Sequence, residues 1–79
     1  MTNKEKYNKV FMDCFSLEEK QLENDVKYNT IESWDSIGHM EMIAELEDAF
    51  DIEMETDDII NFSSYKVGFE LLANYGIEI

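Results

Sequence analysis

Seventy-nine residues, 44% of them hydrophobic, make a single domain (1–79) with a core of modest size and not a disordered chain. Nineteen acidic residues stand against six lysines and no arginine, a net charge of −13; this makes nucleic acid and anionic membrane surfaces poor candidates as partners and favours basic protein patches. The lone cysteine, Cys14, excludes an internal disulfide and a multi-cysteine zinc site. No stretch approaches the ~18 apolar residues that cross a membrane, and the polar N-terminal stretch lacks a secretion signal's apolar core, so a cytoplasmic location is expected.

Residues 1–15 predict a first helix. Thr2 or Asn3 can cap it, and Tyr7, Val10, Phe11, Cys14 and Phe15 recur at the spacing of one helical face. Cys14 on that face reads as a small buried hydrophobe and not as a nucleophile. Residues 16–34 read as a long connection. Ser16 with Glu19 resembles a capping box, so a short helical turn is expected to open it. Leu22, Val26, Tyr28, Ile31 and Trp34 are spaced too irregularly for a second regular helix and read as apolar pins. The connection has no glycine and the chain no proline, so side-chain burial is expected to do the pinning. Trp34 reads as a buried anchor that holds Asp35 and Ser36 in place, in preference to a binding aromatic.

Residues 36–50 predict the helix around which the chain is organised, with Asp35 as its cap. Advanced at about 100° per residue, it shows two apolar faces. Met42, Ile43, Leu46, Ala49 and Phe50 form the face that folding requires. Ile37, Met40 and Ala44 form a second one, edged by Glu41, Glu47 and Asp48, that folding does not require. His39 projects to the core-facing side and reads as a satisfied or half-exposed histidine. Asp51 ends the pattern and an extended Ile52–Met54 follows. Thr56 is then expected to cap a short helix with Asp57 and Asp58 in its first turn and Ile59, Ile60 and Phe62 facing inward. Ser63 or Ser64 is expected to cap a last helix near 65–75 that leaves Lys66, Glu70 and Asn74 outside. Gly76 suits a left-handed stop, and the tail 77–79 is expected to fray. The fold class predicted is all-α: a small bundle of three main helices plus one short helix.

Catalytic and metal patterns are missing. The chain has no Gly-rich phosphate loop, no HExxH pattern and no calcium-loop spacing among its acids, and nothing singles out a carboxylate pair. The residues point away from an enzyme. Ser36 remains, in the first turn of a helix whose free amides and dipole favour an attached anion, beside an apolar and acidic face that folding does not need.

Asp35-Ser36-Ile37, followed by Glu41, Leu46-Glu47 and Phe50-Asp51-Ile52, resembles the D-S-[LIM] motif and second helix of acyl carrier proteins and peptidyl carrier domains. The resemblance covers essentially the whole chain in the order and lengths of its helices. It implies an acyl-carrier-like fold and a 4′-phosphopantetheine joined to Ser36 through a phosphodiester, whose thiol holds an acyl or aminoacyl group as a thioester. It implies Ile37, Met40 and Ala44 as the apolar centre of a docking face, with Glu41, Glu47 and Asp48 meeting basic patches on partners. Those partners are a phosphopantetheinyl transferase and the enzymes that load and transfer the cargo, met by a monomeric carrier. It also gives Asp35 a role in helping the transferase position its metal and the serine hydroxyl. Carriers for bulk fatty acid synthesis commonly have an acid where this chain has Gly38, and a small or apolar pair where it has Ser33-Trp34. The string Trp34 to Met40 looks more like stand-alone carriers of specialised pathways. Two readings stay beside this one: a non-modified acidic helical adaptor, and a housekeeping carrier of fatty acid synthesis.

Overall fold

The computed structural model describes residues 1–79 and contains five helices and no strand: α1 (Asn3–Phe15), α2 (Glu19–Leu22), α3 (Ser36–Phe50), α4 (Thr56–Asn61) and α5 (Tyr65–Ala73). The all-α bundle is as predicted, with the helical turn of the connection realised as a second short helix. None of the helices is long and apolar enough to cross a membrane.

Helix α1 starts where the cap residues put it. The Thr2 hydroxyl accepts from the Glu5 amide at 3.1 Å and the Glu5 carboxylate accepts from the Thr2 amide at 3.0 Å, a reciprocal box that satisfies two orphan donors. The same bond holds the Glu5 carboxyl below its ordinary range. Tyr7, Val10, Phe11 and Phe15 are buried, but Cys14 sits at the edge of that stripe and is only half-buried. Ser16 does not open the next helix. It adopts the left-handed conformation (φ 54°) and returns its amide to the Met12 carbonyl, closing α1. The turn that becomes α2 is capped two residues later, where Gln21 Oε1 accepts from the Glu18 amide at 2.7 Å.

The connection from 23 to 35 is tied by backbone as well as by side chains, which differs from the expectation of side-chain burial alone. The Tyr28 amide donates to the Ser63 carbonyl at 2.9 Å, and the Tyr65 amide donates to the Val26 carbonyl at 2.8 Å. Asp25 Oδ1 accepts from the Lys66 amide at 2.9 Å. These bonds lace the connection to the α4–α5 junction, around an isolated antiparallel bridge between Lys27 and Ser64. Of the five apolar pins, Leu22 and Trp34 are buried and Val26 and Ile31 half-buried, but Tyr28 lies at the surface.

Helix α4 begins one residue from where its sequence suggests. Glu55 occupies the cap position, Thr56 is the first helical residue, and no side chain caps the turn. Phe62 is buried and Ile59 half-buried, but Ile60 is 71% exposed: adjacent residues in a helix this short cannot both face inward. Ser64 caps α5 through a 3.1 Å bond from the Val67 amide, and Gly76 takes the left-handed stop at φ 81°. The tail is not frayed. Ile77 is buried, and Asn3 Nδ2 donates to the Glu78 carbonyl at 3.1 Å. Tyr75, expected within α5, lies past its end and joins the tail to α4 by donating to Asp58 Oδ2 at 2.5 Å and accepting from the Glu55 amide at 2.8 Å.

The core is aromatic. Tyr7, Phe11, Phe15, Trp34, Phe62 and Tyr65 pack tilted, edge-on or stacked with centroids about 5–6.5 Å apart, the range in which ring quadrupoles add to area burial. Burial pushes the Tyr7 phenol well above its ordinary pKa, and the neutral hydroxyl donates to the Tyr65 carbonyl at 2.5 Å. Gly68 makes room for that hydroxyl: a Cβ there would collide with Tyr7 Oη and the Phe62 ring.

Candidate functional site

Ser36 opens α3 because the residue before it is a good cap. Asp35 has extended backbone, its Oδ1 accepts from the Gly38 amide at 2.9 Å, and its carbonyl accepts from the His39 amide at 2.8 Å. The amides of Ser36 and Ile37 have no partner within the protein. They project from the positive end of a fifteen-residue helix. Ser36 itself is exposed, and its Oγ lies 3.4 Å from the Tyr28 hydroxyl. An exposed hydroxyl, held only by the Tyr28 hydroxyl, on a first turn with unpaired amides suits a covalently attached phosphate ester, so the residues present fit the group that the motif implies.

Trp34 fixes this turn from behind. It is fully buried, as its reading as an anchor requires. Its indole ring is stacked on Phe15 (centroids 5.0 Å, 18°), and its Nε1–H donates to His39 Nδ1 at 2.9 Å. His39 Nε2 stands 2.8 Å from the Ile59 carbonyl on α4. A carbonyl only accepts and an indole N–H only donates, so both bonds select the same neutral tautomer, with the proton on Nε2. His39 is therefore satisfied at both nitrogens, and Trp34, α3 and α4 meet in one side chain.

Gly38 answers to the fold itself. A Cβ on it would run into the Ser33 carbonyl, and the Ser33 hydroxyl in turn donates to the Phe15 carbonyl at 3.1 Å. The glycine lets the last loop residues press against the first turn of α3. Ser33 and Gly38, two positions singled out in the sequence, form one contact.

The second apolar face of α3 is open to solvent. Ile37 is 73% and Met40 54% exposed, and Ala44, Glu41 and Asp48 are exposed beside them. Glu47 is half-buried, its Oε2 accepts from the Met54 amide at 2.8 Å, and its carbonyl accepts from the Ile52 amide, so it also braces the turn after α3. Three features were missed in the sequence pattern: the approach of Tyr28 to Ser36, the His39 bridge and the exposure of Ile60. Only the last had a usable signal, the adjacency of two isoleucines in a short helix.

Cys14 lies near Glu41 and Glu45 across the α1–α3 groove. Partial burial first, then the charges of Glu45, Glu41 and Asp13, push its thiol up to about 11, so the thiolate is disfavoured at neutral pH. No three His, Cys, Asp or Glu side chains converge as metal ligands. Compared with known proteins, the chain matches no family model, no curated protein and no solved structure.

Proposed function

We propose that this chain is a carrier domain that holds an acyl or aminoacyl group on a 4′-phosphopantetheine attached to Ser36 and presents it to partner enzymes in a specialised biosynthetic pathway. The observation that carries the reading is the placement of Ser36: an exposed hydroxyl on the first turn of α3, beside the exposed Ile37 and Met40, in a stretch whose residues resemble the carrier motif. When bound, the group supplies a thiol on a flexible arm, which raises the effective concentration of its cargo at each docked enzyme.

The residues of the chain do the rest. Asp35 holds the first turn in shape and keeps a carboxylate beside the serine. Trp34 and His39 hold the backbone of residues 34–39 against the core, so the hydroxyl is presented by a fixed turn and not by a mobile loop. Ile37 and Met40 offer apolar contact, while Glu41 and Asp48 steer basic partners toward it.

Intact mass after incubation with a phosphopantetheinyl transferase and coenzyme A tests the reading. The expected result is one phosphopantetheine adduct that is absent from Ser36→Ala. No adduct, or an adduct that survives Ser36→Ala, overturns it.

A further inference from the structure

We propose that the protein keeps its cargo outside its core: the His39 bridge and the aromatic wall behind it close the seam between α3 and α4 beneath Ser36, so the group carried is a short or polar acyl or aminoacyl group and not a long alkyl chain. The inference rests on the carrier reading for what hangs from Ser36.

An alkyl chain tethered at Ser36 gains free energy for each methylene it takes out of water, so an accessible apolar space beneath the attachment point would draw it in. The direct way in runs between the first turn of α3 and the end of α4, and His39 lies across it. Its Nε2–H is bonded to the Ile59 carbonyl at 2.8 Å and its Nδ1 accepts from Trp34 at 2.9 Å. The imidazole runs nearly parallel to the indole (14°), with the Tyr28 ring edge-on at 5.3 Å and the Phe62 ring at 6.3 Å. Behind this layer Trp34, Met42, Ile43, Leu46 and Phe62 are all buried to within about a hundredth of their surface. A chain entering there would have to part both bonds of His39, leaving the indole N–H of a fully buried tryptophan without an acceptor.

The hollows of the surface lie elsewhere. They are bounded by α1 with α2 and α5, by α1 with α3, or by the connection at 17–31, and none takes in Trp34, His39, Ile59 or Phe62. Of the two along α1 and α3, one sets Asp13, Glu41 and Glu45 around Ala44 and the other sets Lys6, Lys9, Asp13 and Glu45 around Val10 and Ala49, so a hydrocarbon in either would desolvate charged side chains. A long alkyl group would therefore stay in water along its whole length, whereas a short acyl or a charged aminoacyl group loses little there.

The test loads Ser36 with acetyl-, hexanoyl- and decanoyl-phosphopantetheine from the corresponding coenzyme A thioesters, each adduct confirmed by intact mass. Melting temperature and the indole N–H resonance of Trp34 are then compared along the series. The expected result is no dependence of either on chain length. A melting temperature that climbs from acetyl to decanoyl, with a moving indole resonance, overturns the proposal. His39→Ala removes the bridge and is expected to acquire the chain-length dependence; its absence in a folded His39→Ala overturns the role given to His39. Should no adduct form, the carrier reading fails by itself. The seam is then tested by coupling alkyl thiols of the same lengths as disulfides to Ser36→Cys in a Cys14→Ala background, with the same two outcomes.

Discussion

The indole N–H of Trp34 donates to Nδ1 of His39 across 2.9 Å, so the residue that ends the connection is bonded to the first turn of the helix it introduces. Asp35 and Ser36 lie between these two partners. The bond turns the stretch from 34 to 39 into a closed loop of backbone and side chains, and the Ile59 carbonyl ties that loop to α4.

Trp34→Phe separates the bond from the ring. It keeps an aromatic in the core but leaves the buried-side acceptor on His39 without its donor, at a cost of about 1–3 kcal/mol. Trp34→Ala empties the site and costs about 3–5 kcal/mol, a large share of the roughly 4–12 kcal/mol expected for a domain of this length. Urea unfolding followed by circular dichroism measures both. A Trp34→Phe protein as stable as the native one would show that the indole N–H contributes nothing.

Gly38→Ala sets helix propensity against packing. Propensity alone favours alanine in a helix by ~1 kcal/mol. The new Cβ, however, meets the Ser33 carbonyl, which is backbone held in turn by the Ser33 bond to Phe15, so it has little freedom to retreat. Overpacking of this kind costs about 1–3 kcal/mol. The expected outcome is a lower denaturation midpoint for Gly38→Ala, and a raised one would mean that the loop yields.

The same pair shows where sequence reasoning ends. Ser33 and Gly38 are legible as unusual, but the reason for the glycine is a carbonyl brought against it by the path of the loop. Several local signals were legible: the Asp35 cap, a serine cap at 63 or 64, the stripe from Tyr7 to Phe15, and the core face from Met42 to Leu46 need only residues within a few positions of each other. Ser16 was ambiguous because one residue type serves both a helix start and a left-handed stop, and the Met12 carbonyl decides it. Glu47 carries the same charge whether it waits for a partner or braces the Met54 amide. Tyr28 and His39 reach their partners through tertiary geometry that no periodicity encodes.

Cys14 supplies a prediction in pH. Its folded value of about 11 lies above that of a free thiol, so the fold favours the neutral form. The associated stability is present below the unfolded pKa and is lost as pH rises through the folded one. At pH 8 only about one thiol in a thousand is ionised, and alkylation is expected on the order of a hundredfold slower than for free cysteine. Iodoacetamide labelling followed by intact mass should accelerate steadily up to about pH 11. A rate that levels off by about pH 9, the range of an unperturbed thiol, would contradict it. Added salt should speed the reaction, because the charges of Glu45, Glu41 and Asp13 oppose the thiolate and are screened by ions.

Asp35 has two separable contributions, and substitution distinguishes them. Its Oδ1 accepts from the Gly38 amide, a bond that asparagine reproduces and alanine does not. Asp35→Ala should therefore lose about 1 kcal/mol in urea unfolding, while Asp35→Asn stays within a few tenths. The proposed help to a phosphopantetheinyl transferase depends on the charge, which asparagine lacks. The expected pattern is an Asp35→Asn protein as stable as the native one but with a reduced kcat/KM for modification of Ser36. If Asp35→Asn is modified at the native rate and Asp35→Ala slows only as far as its helix start is weakened, the carboxylate acts as a cap and nothing more. The comparison works because the side chain that organises the turn also stands beside the hydroxyl, and only one of its two atomic features, the acceptor oxygen, survives the change to asparagine.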